Sequence, residues 1–152
     1  MIIKELCCED LLTYYTNVLE LLVDTYTINF QLTSEQAKPI CLNKIELLMD
    51  YINQGSAIVI AAIDENELIG FTWLYKHDFF DEQRLHVNQI AVNTKLRGKG
   101  IGKQLFQESE KKALKEGIKT IDLIVSESNS RALDLYEKLG FETERRYMKK
   151  KL

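Results

Sequence analysis

Val92-Asn93-Thr94-Lys95-Leu96-Arg97-Gly98-Lys99-Gly100-Ile101-Gly102-Lys103-Gln104-Leu105-Phe106 is the stretch that organises this chain. Before it, Leu85 to Val92 alternates as a strand. After it, helical spacing runs from about Ile101 to Glu116 and Gly117 closes the helix. Three glycines at alternate positions therefore sit where a strand turns into a helix. Without Cβ atoms, backbone N–H groups there can converge on one spot. The first helical turn adds unpaired donors and the positive end of its dipole. Such a turn binds a phosphate or pyrophosphate, and Arg97, Lys99 and Lys103 add positive charge at its rim. Two familiar phosphate loops do not fit. Gly102-Lys103 is followed by Gln104, not Ser or Thr, which excludes a Walker A loop. The third glycine of a dinucleotide fingerprint falls on Lys103 or Leu105.

Working outward, residues 2–6 read as a first strand and Leu11, Leu12, Tyr15, Val18, Leu19 and Leu22 as one helix face. Thr25 to Leu32 reads as a loop. Thr33-Ser34-Glu35-Gln36 has the form of a capping box, and Cys41, Ile45, Leu48, Met49 and Ile52 mark the helix it opens. Ala57 to Ile63 and Leu68 to Lys76 form a hairpin around Asp64-Glu65-Asn66-Glu67, with a loop near Asp78 to Glu82 before the next strand. Thr120 to Ser126 is a fifth strand. Asn129 caps a helix with Ala132, Leu135, Tyr136 and Leu139 on its apolar face, ended by Gly140. Thr143 to Lys151 reads as a terminal edge strand. The order β-α-α-β-β-β-α-β-α-β predicts an α/β fold: a mixed, mostly antiparallel sheet flanked by helices, with residues 1–152 as a single domain.

The glycine stretch resembles the cofactor motif of the GCN5-related N-acetyltransferase (GNAT) family. Arg97-Gly98-Lys99-Gly100-Ile101-Gly102 matches its Arg/Gln-x-x-Gly-x-Gly/Ala pattern. A second signature of that family, N-x-x-A-x-x-x-Y-x-x-x-G-F, is similar to Asn129 through Phe141. The resemblance covers roughly residues 57 to 150. It implies transfer of an acetyl group from acetyl-CoA to a primary amine by direct attack in a ternary complex. It also implies that Arg97, Gly98, Lys99, Gly100, Ile101, Gly102 and Lys103 hold the CoA pyrophosphate. Ile90, Ala91 and Val92 would pair with the pantetheine arm where strands four and five splay apart, and Asn129 would contact that arm. Tyr136 would hydrogen-bond the sulfur and protonate the leaving thiolate.

Many family members carry a Glu on strand four to deprotonate the amine. This chain has no carboxylate between Leu85 and Val92. Asn88 lies in that neighbourhood, and His86, two residues earlier and so on the same strand face, is a candidate base because an imidazole titrates near neutrality. A water chain to bulk is the alternative. In the family the acceptor pocket is shaped by the first two helices and the strand 3–4 loop, here Tyr14 to Leu32 and His77 to Arg84. These hold Tyr26, Asn29, Phe30, Phe79, Phe80, Asp81 and Glu82.

Composition narrows the rest. The chain is 45% hydrophobic and 28% charged with a net charge of -3, so it has no concentrated basic footprint for nucleic acid. No apolar run approaches the ~20 residues of a membrane span, and no signal-peptide core is present, so a cytoplasmic location is expected. Cys7, Cys8 and Cys41 have no metal or disulfide spacing, and His77 and His86 lack a third ligand at a recognisable spacing, so no metal is expected. An open sheet edge near the C-terminus would allow a homodimer. The competing reading is a non-catalytic acyl-CoA-binding or sensing module with the same cofactor site.

Overall fold

Seven consecutive buried positions from Ala57 to Ile63 require a strand covered on both faces, and this strand is the second of five in the sheet. The computed structural model describes all residues 1–152. The strands are β1 (Ile2–Glu5), β2 (Ala57–Asp64), β3 (Glu67–Phe79), β4 (Glu82–Val92) and β5 (Thr120–Leu123). They lie in the spatial order β1-β2-β3-β4-β5. β1 to β4 are antiparallel, and β5 joins β4 in parallel. Glu65 and Asn66 both have positive φ, 47° and 68°, as the two-residue turn joining β2 to β3 requires.

Two layers of helix cover the sheet. On one face, α1 (Cys8–Thr13), α2 (Tyr15–Phe30) and α3 (Ser34–Asn53) close a core that includes Leu22, Ile45, Phe71, Trp73 and Ala91. On the other face, α4 (Ile101–Lys115) and α5 (Ser130–Lys138) adjoin Leu74, Leu85, Val87, Leu105 and Phe106, with Tyr136 and Phe141 packed against them. The chain's one tryptophan, Trp73, is only 4% exposed and is paired across the strands with Gln89. No helix is long and apolar enough to cross a membrane.

The predicted α/β architecture is present, with five local departures. β5 stops at Leu123 and not at Ser126, because Ile124 beyond it is exposed and has no partner strand. The first helix is broken at Tyr14, whose ψ of 17° leaves the helical range. The predicted loop from Thr25 is instead the last turns of α2, up to a left-handed Gln31. Burial explains it: Thr25 and Tyr26 are inside, and the Thr25 hydroxyl donates to the Leu21 carbonyl at 2.9 Å, so packing outweighs a β-branched residue's weak helix preference. The β3–β4 loop shrinks to Phe80-Asp81, because both strands run on past their predicted ends. Finally, Thr143 to Lys151 forms no strand. Its two large apolar residues, Tyr147 and Met148, are adjacent, so strand alternation would turn only one toward a core, and both are exposed.

Caps set the helices that matter for the site. Thr33 and Gln36 form the predicted reciprocal pair, with N···O distances of 3.2 and 2.9 Å. At the end of α5 the Phe141 N–H reaches the Tyr136 carbonyl at 2.9 Å and the Gly140 N–H the Glu137 carbonyl at 3.0 Å. Left-handed Gly140 makes that closure, and Phe141 lies against Tyr136, ring centroids 5.7 Å apart.

Candidate functional site

Gly98 and Gly100 have φ of 81° and 82°, and Gly100 is the N-cap of α4. A Cβ at either would meet no protein atom within 4 Å, so these two glycines face open space. The first helical bond of α4 runs from Gln104 N–H to Gly100 C=O. That leaves the N–H groups of Ile101, Gly102 and Lys103 without an intrahelical partner, at the positive end of the helix. Gly102 differs from the other two glycines: a Cβ there would touch Leu135 Cδ2 at 3.7 Å, an ordinary contact. This close approach sets the first turn of α4 beside α5, with Leu135 next to Tyr136.

Lys99 and Lys103 are exposed. Arg97 is not. Its Nε donates to the Val92 carbonyl at 3.2 Å, which turns the guanidinium inward. Burial lowers its pKa and the charge of Arg131 lowers it further, while Asp24 opposes both.

β4 supplies an open edge. Its pairing with β5 covers only Arg84↔Thr120 to Val87↔Leu123, so from Asn88 onward that side of β4 has no strand partner. The Asn93 N–H donates to Ile69 O at 2.9 Å, and the Gln89 carbonyl accepts from the Thr72 hydroxyl at 3.1 Å. Both contacts point to β3. Main-chain groups alternate in direction along a strand. Gln89 and Ala91 therefore face β3, whereas Ile90 and Val92 present theirs at the open edge. Of the three residues predicted to meet an extended ligand, Ala91 has its main chain engaged by the sheet. Asn88 is the extra residue of a bulge between the pairs Trp73↔Gln89 and Leu74↔Val87. The expected shared face of His86 and Asn88 assumed unbroken alternation, which the bulge interrupts.

α5 closes the other side of this opening. Asn129 Oδ1 accepts from the Ala132 N–H at 3.2 Å, and its Nδ2 donates to Asn29 Oδ1 on α2 at 2.9 Å. The predicted N-cap is present and also ties α5 to the opposite helical layer. Tyr136 stands edge-on to Phe106 and to Phe141, with centroids 5.7 Å away in each case. Burial pushes its phenol up to about 12.

His86 lies at the mouth of the opening, on the last β4–β5 pair but one. Leu85 and Val87 point into the α4 side, so His86 points to the other face, toward the α1–α3 side. There it meets residues the sequence did not connect. His86 Nδ1 is 2.8 Å from Asp122 Oδ1, and His77 Nε2 is 3.0 and 2.9 Å from the two Asp122 oxygens. One ligand atom from each of these residues lies within 4.8 Å of the others. Asp122 is therefore the third group that the spacing of the histidines did not reveal. Burial raises its pKa, but the hydrogen bonds from His86 and His77 outweigh that and hold it below the ordinary 3.8.

Arg84 backs this cluster. Its side chain is 9% exposed. It donates to Glu144 through Nη1 and Nη2 at 2.7 and 2.9 Å and to Glu82 through Nε at 2.9 Å, and it lies 3.6 Å from Asp122. It also stacks on Phe79, 3.9 Å from the ring centroid. Thr120 hydrogen-bonds Glu82, and together with Arg84 it lowers that carboxyl's pKa. Three carboxylates thus surround one guanidinium. A cavity of about 230 Å³ elsewhere, between β1 and α4, is lined by Lys4, Lys111, Lys112 and Lys115. Three of these lysines are already paired with Asp10, Glu108 and Glu5, so the cavity is not a comparable anion site.

A sequence profile described as the Acetyltransferase (GNAT) family matches residues 15–141. The chain is 35% identical over 86 residues to the mycothiol acetyltransferase of Corynebacterium efficiens, covering 56% of this chain and 28% of that protein. It is 34% identical over 96 residues to the uncharacterized N-acetyltransferase YvbK of Bacillus subtilis, covering 63% and 59% respectively. The match thus spans less than two thirds of either relative. Among solved structures, the aminoglycoside acetyltransferase meta-AAC0020 from an uncultured soil metagenomic sample, in complex with sisomicin, superposes with a TM-score of 0.76 at 20% identity, covering 99% of this chain and 95% of that one. That likeness is one of fold. The chain belongs to the GNAT acetyltransferase family.

Proposed function

We propose that residues 1–152 act as one catalytic unit, an acetyl-CoA-dependent N-acetyltransferase for a primary amine. One observation carries this reading: a left-handed glycine loop at the start of α4 adjoins a β4 edge that β5 leaves unpaired beyond Val87. The loop and the free N–H groups of α4 suit a pyrophosphate. The main-chain groups of Ile90 and the N–H of Val92, whose carbonyl already accepts from Arg97, suit an extended amide arm, added like a strand. The acetyl group then lies at the opening, with Tyr136 on one side and His86 on the other.

In this mechanism the amine gives a proton to His86 and attacks the thioester carbonyl carbon. A β4 main-chain N–H at the open edge receives the oxyanion. The C–S bond breaks, and Tyr136 hands its proton to the sulfur. With both imidazoles neutral, Glu82, Asp122 and Glu144 against Arg84 and Arg145 leave one negative charge in excess, which favours approach of a cationic amine. Candidate acceptors are a polyamine, an aminoglycoside-type amine, an amino acid, and a protein amine. The three free thiols fit a reducing compartment such as the cytoplasm.

The test pairs binding with turnover. Gly100→Val places a branched side chain at a left-handed position in the open loop, so calorimetry should show CoA affinity falling at least about tenfold, or about 1.4 kcal/mol. Unchanged affinity in a folded variant would falsify the loop assignment. Thiol release from acetyl-CoA with an amine panel distinguishes an enzyme from an acyl-CoA sensor.

A further inference from the structure

Asp122 is a carboxylate with two imidazoles on it and an ion-paired guanidinium behind it. Its distances to His86 and His77 are those of hydrogen bonds, 2.8 to 3.0 Å. An ionised carboxylate only accepts. Both imidazoles must therefore present N–H to it: His86 through Nδ1 and His77 through Nε2. In the neutral form of each ring the other nitrogen is then the one without a proton. For His86 that nitrogen is Nε2, on a side chain 13% exposed at the end of the β4–β5 pairing.

We propose that Asp122 is the positioning residue of the proposed acetyl transfer: it fixes His86 as the Nδ1–H tautomer and leaves Nε2 to take the amine's proton. This rests on the N-acetyltransferase reading above. His77 is the second donor that holds the carboxylate in place. Arg84, clamped by Glu144 and Glu82, stands behind Asp122 without taking over its oxygens, since its nearest approach is 3.6 Å. Tyr75, whose ring centroid is 4.9 Å from that of His86, packs against the imidazole. These are the charged and titratable groups around the pair: Tyr75 and His77 from β3, Glu82 and Arg84 from β4, Asp122 from β5, and Glu144 and Arg145 from the C-terminal segment.

The proton count closes. An ammonium R–NH3⁺ loses one proton to His86 Nε2, which becomes an imidazolium paired with Asp122. The freed amine forms the C–N bond, the C–S bond breaks, and a second nitrogen proton ends on the CoA sulfur by way of Tyr136. His86 then returns its proton to water. The products are the acetamide, CoA thiol and one proton released to solution.

Nitrogen-15 long-range spectra of the imidazoles at neutral pH read the tautomer directly, with no acceptor needed. The expected result for His86 in the unaltered protein is a protonated Nδ1 and a bare Nε2. Asp122→Asn, with one acceptor and one donor face, should scramble this pattern. A protonated Nε2 on His86 in the unaltered protein, or an unchanged tautomer in Asp122→Asn, overturns the proposal. The first reading needs no variant, so a misfolded variant does not remove the test. Turnover is then measured with whichever of spermidine, sisomicin and L-lysine the unaltered protein acetylates best. Asp122→Asn should lower kcat roughly 10- to 100-fold, the scale for losing a partner that orients a functional imidazole. KM for acetyl-CoA should hold within about twofold, since the cofactor groups are untouched, and the acid limb of the rate profile should move to lower pH. His77→Gln, which keeps a donor toward Asp122, should retain most activity. Full turnover in Asp122→Asn refutes the positioning role and leaves the acetyltransferase reading standing. Stoichiometric Zn²⁺ uptake that accelerates the enzyme would make the three residues a metal centre, and that also overturns the proposal.

Discussion

Tyr136 is a packed side chain that is also the proposed proton donor. Two phenyl rings meet its edges, and burial pushes its phenol up to about 12. It therefore stays protonated through neutral pH, as a proton donor must. Tyr136→Phe keeps the ring contacts and removes the proton. Turnover should fall by roughly 10²–10⁴ with acetyl-CoA binding retained. A loss under about threefold would leave Tyr136 a core residue only, with another group protonating the thiolate. The place of Tyr136 on the packed face of α5 could be read from the sequence because Asn129 and Gly140 frame that helix. Asp122 could not. It sits 36 residues from His86 and 45 from His77, and only the register of a parallel crossover strand brings the three together. Arg84 was hidden for the same reason: its best partner, Glu144, is 60 residues away.

At the scale of elements, local chemistry was legible wherever the signal was local. The Thr33 box, the Asn129 cap, the Gly140 closure and the turn at Glu65-Asn66 each depend on residues within a few positions. The β3–β4 hairpin was underestimated because His77, Asp78, Glu82 and Arg84 look like loop residues. His77 and Arg84 are held by their contacts to Asp122 on β5 and by the stacking of Arg84 on Phe79, while Asp78 and Glu82 follow in the ladder opposite Gln83 and Phe79. The terminal strand was overestimated because alternation alone does not supply a face to bury. Asn129 gives the sharpest test here, since one amide caps α5 and also holds α2. Asn129→Ala removes both bonds. Urea unfolding should show a loss of about 1 kcal/mol for the cap alone, and up to about 2 with the link to Asn29. CoA affinity should drop with it, because α5 borders the opening. A stability change below about 0.3 kcal/mol would mean that water replaces both bonds.

For the whole molecule, a ligand that binds only the folded state must raise its stability. At a hundredfold excess over Kd the gain is about 2.7 kcal/mol. For a chain of this size that is roughly 5–10 °C in Tm. A scan with CoA should show a shift of that order, and Gly100→Val should lose most of it. Steady-state rates should give intersecting lines when acetyl-CoA and amine are both varied. Cys41 is buried, Cys8 is directed to the Met49 carbonyl at 3.3 Å, and Cys7 is hydrogen-bonded to Asp10. None contacts either histidine, and direct transfer asks nothing of them. Parallel lines, with an acetylated cysteine in the mass spectrum, would overturn direct transfer.

Trp73 lies in β3 with Gln89 as its neighbour in β4, one position from the bulge. It is the sole indole in the chain and it is shielded from solvent. The protein therefore carries its own optical probe beside the strand where the cofactor arm is proposed to lie. Its emission should be blue-shifted and poorly quenched by iodide in the free protein. Adding CoA should change its intensity, and that signal would follow binding in a stopped-flow mixer without any label.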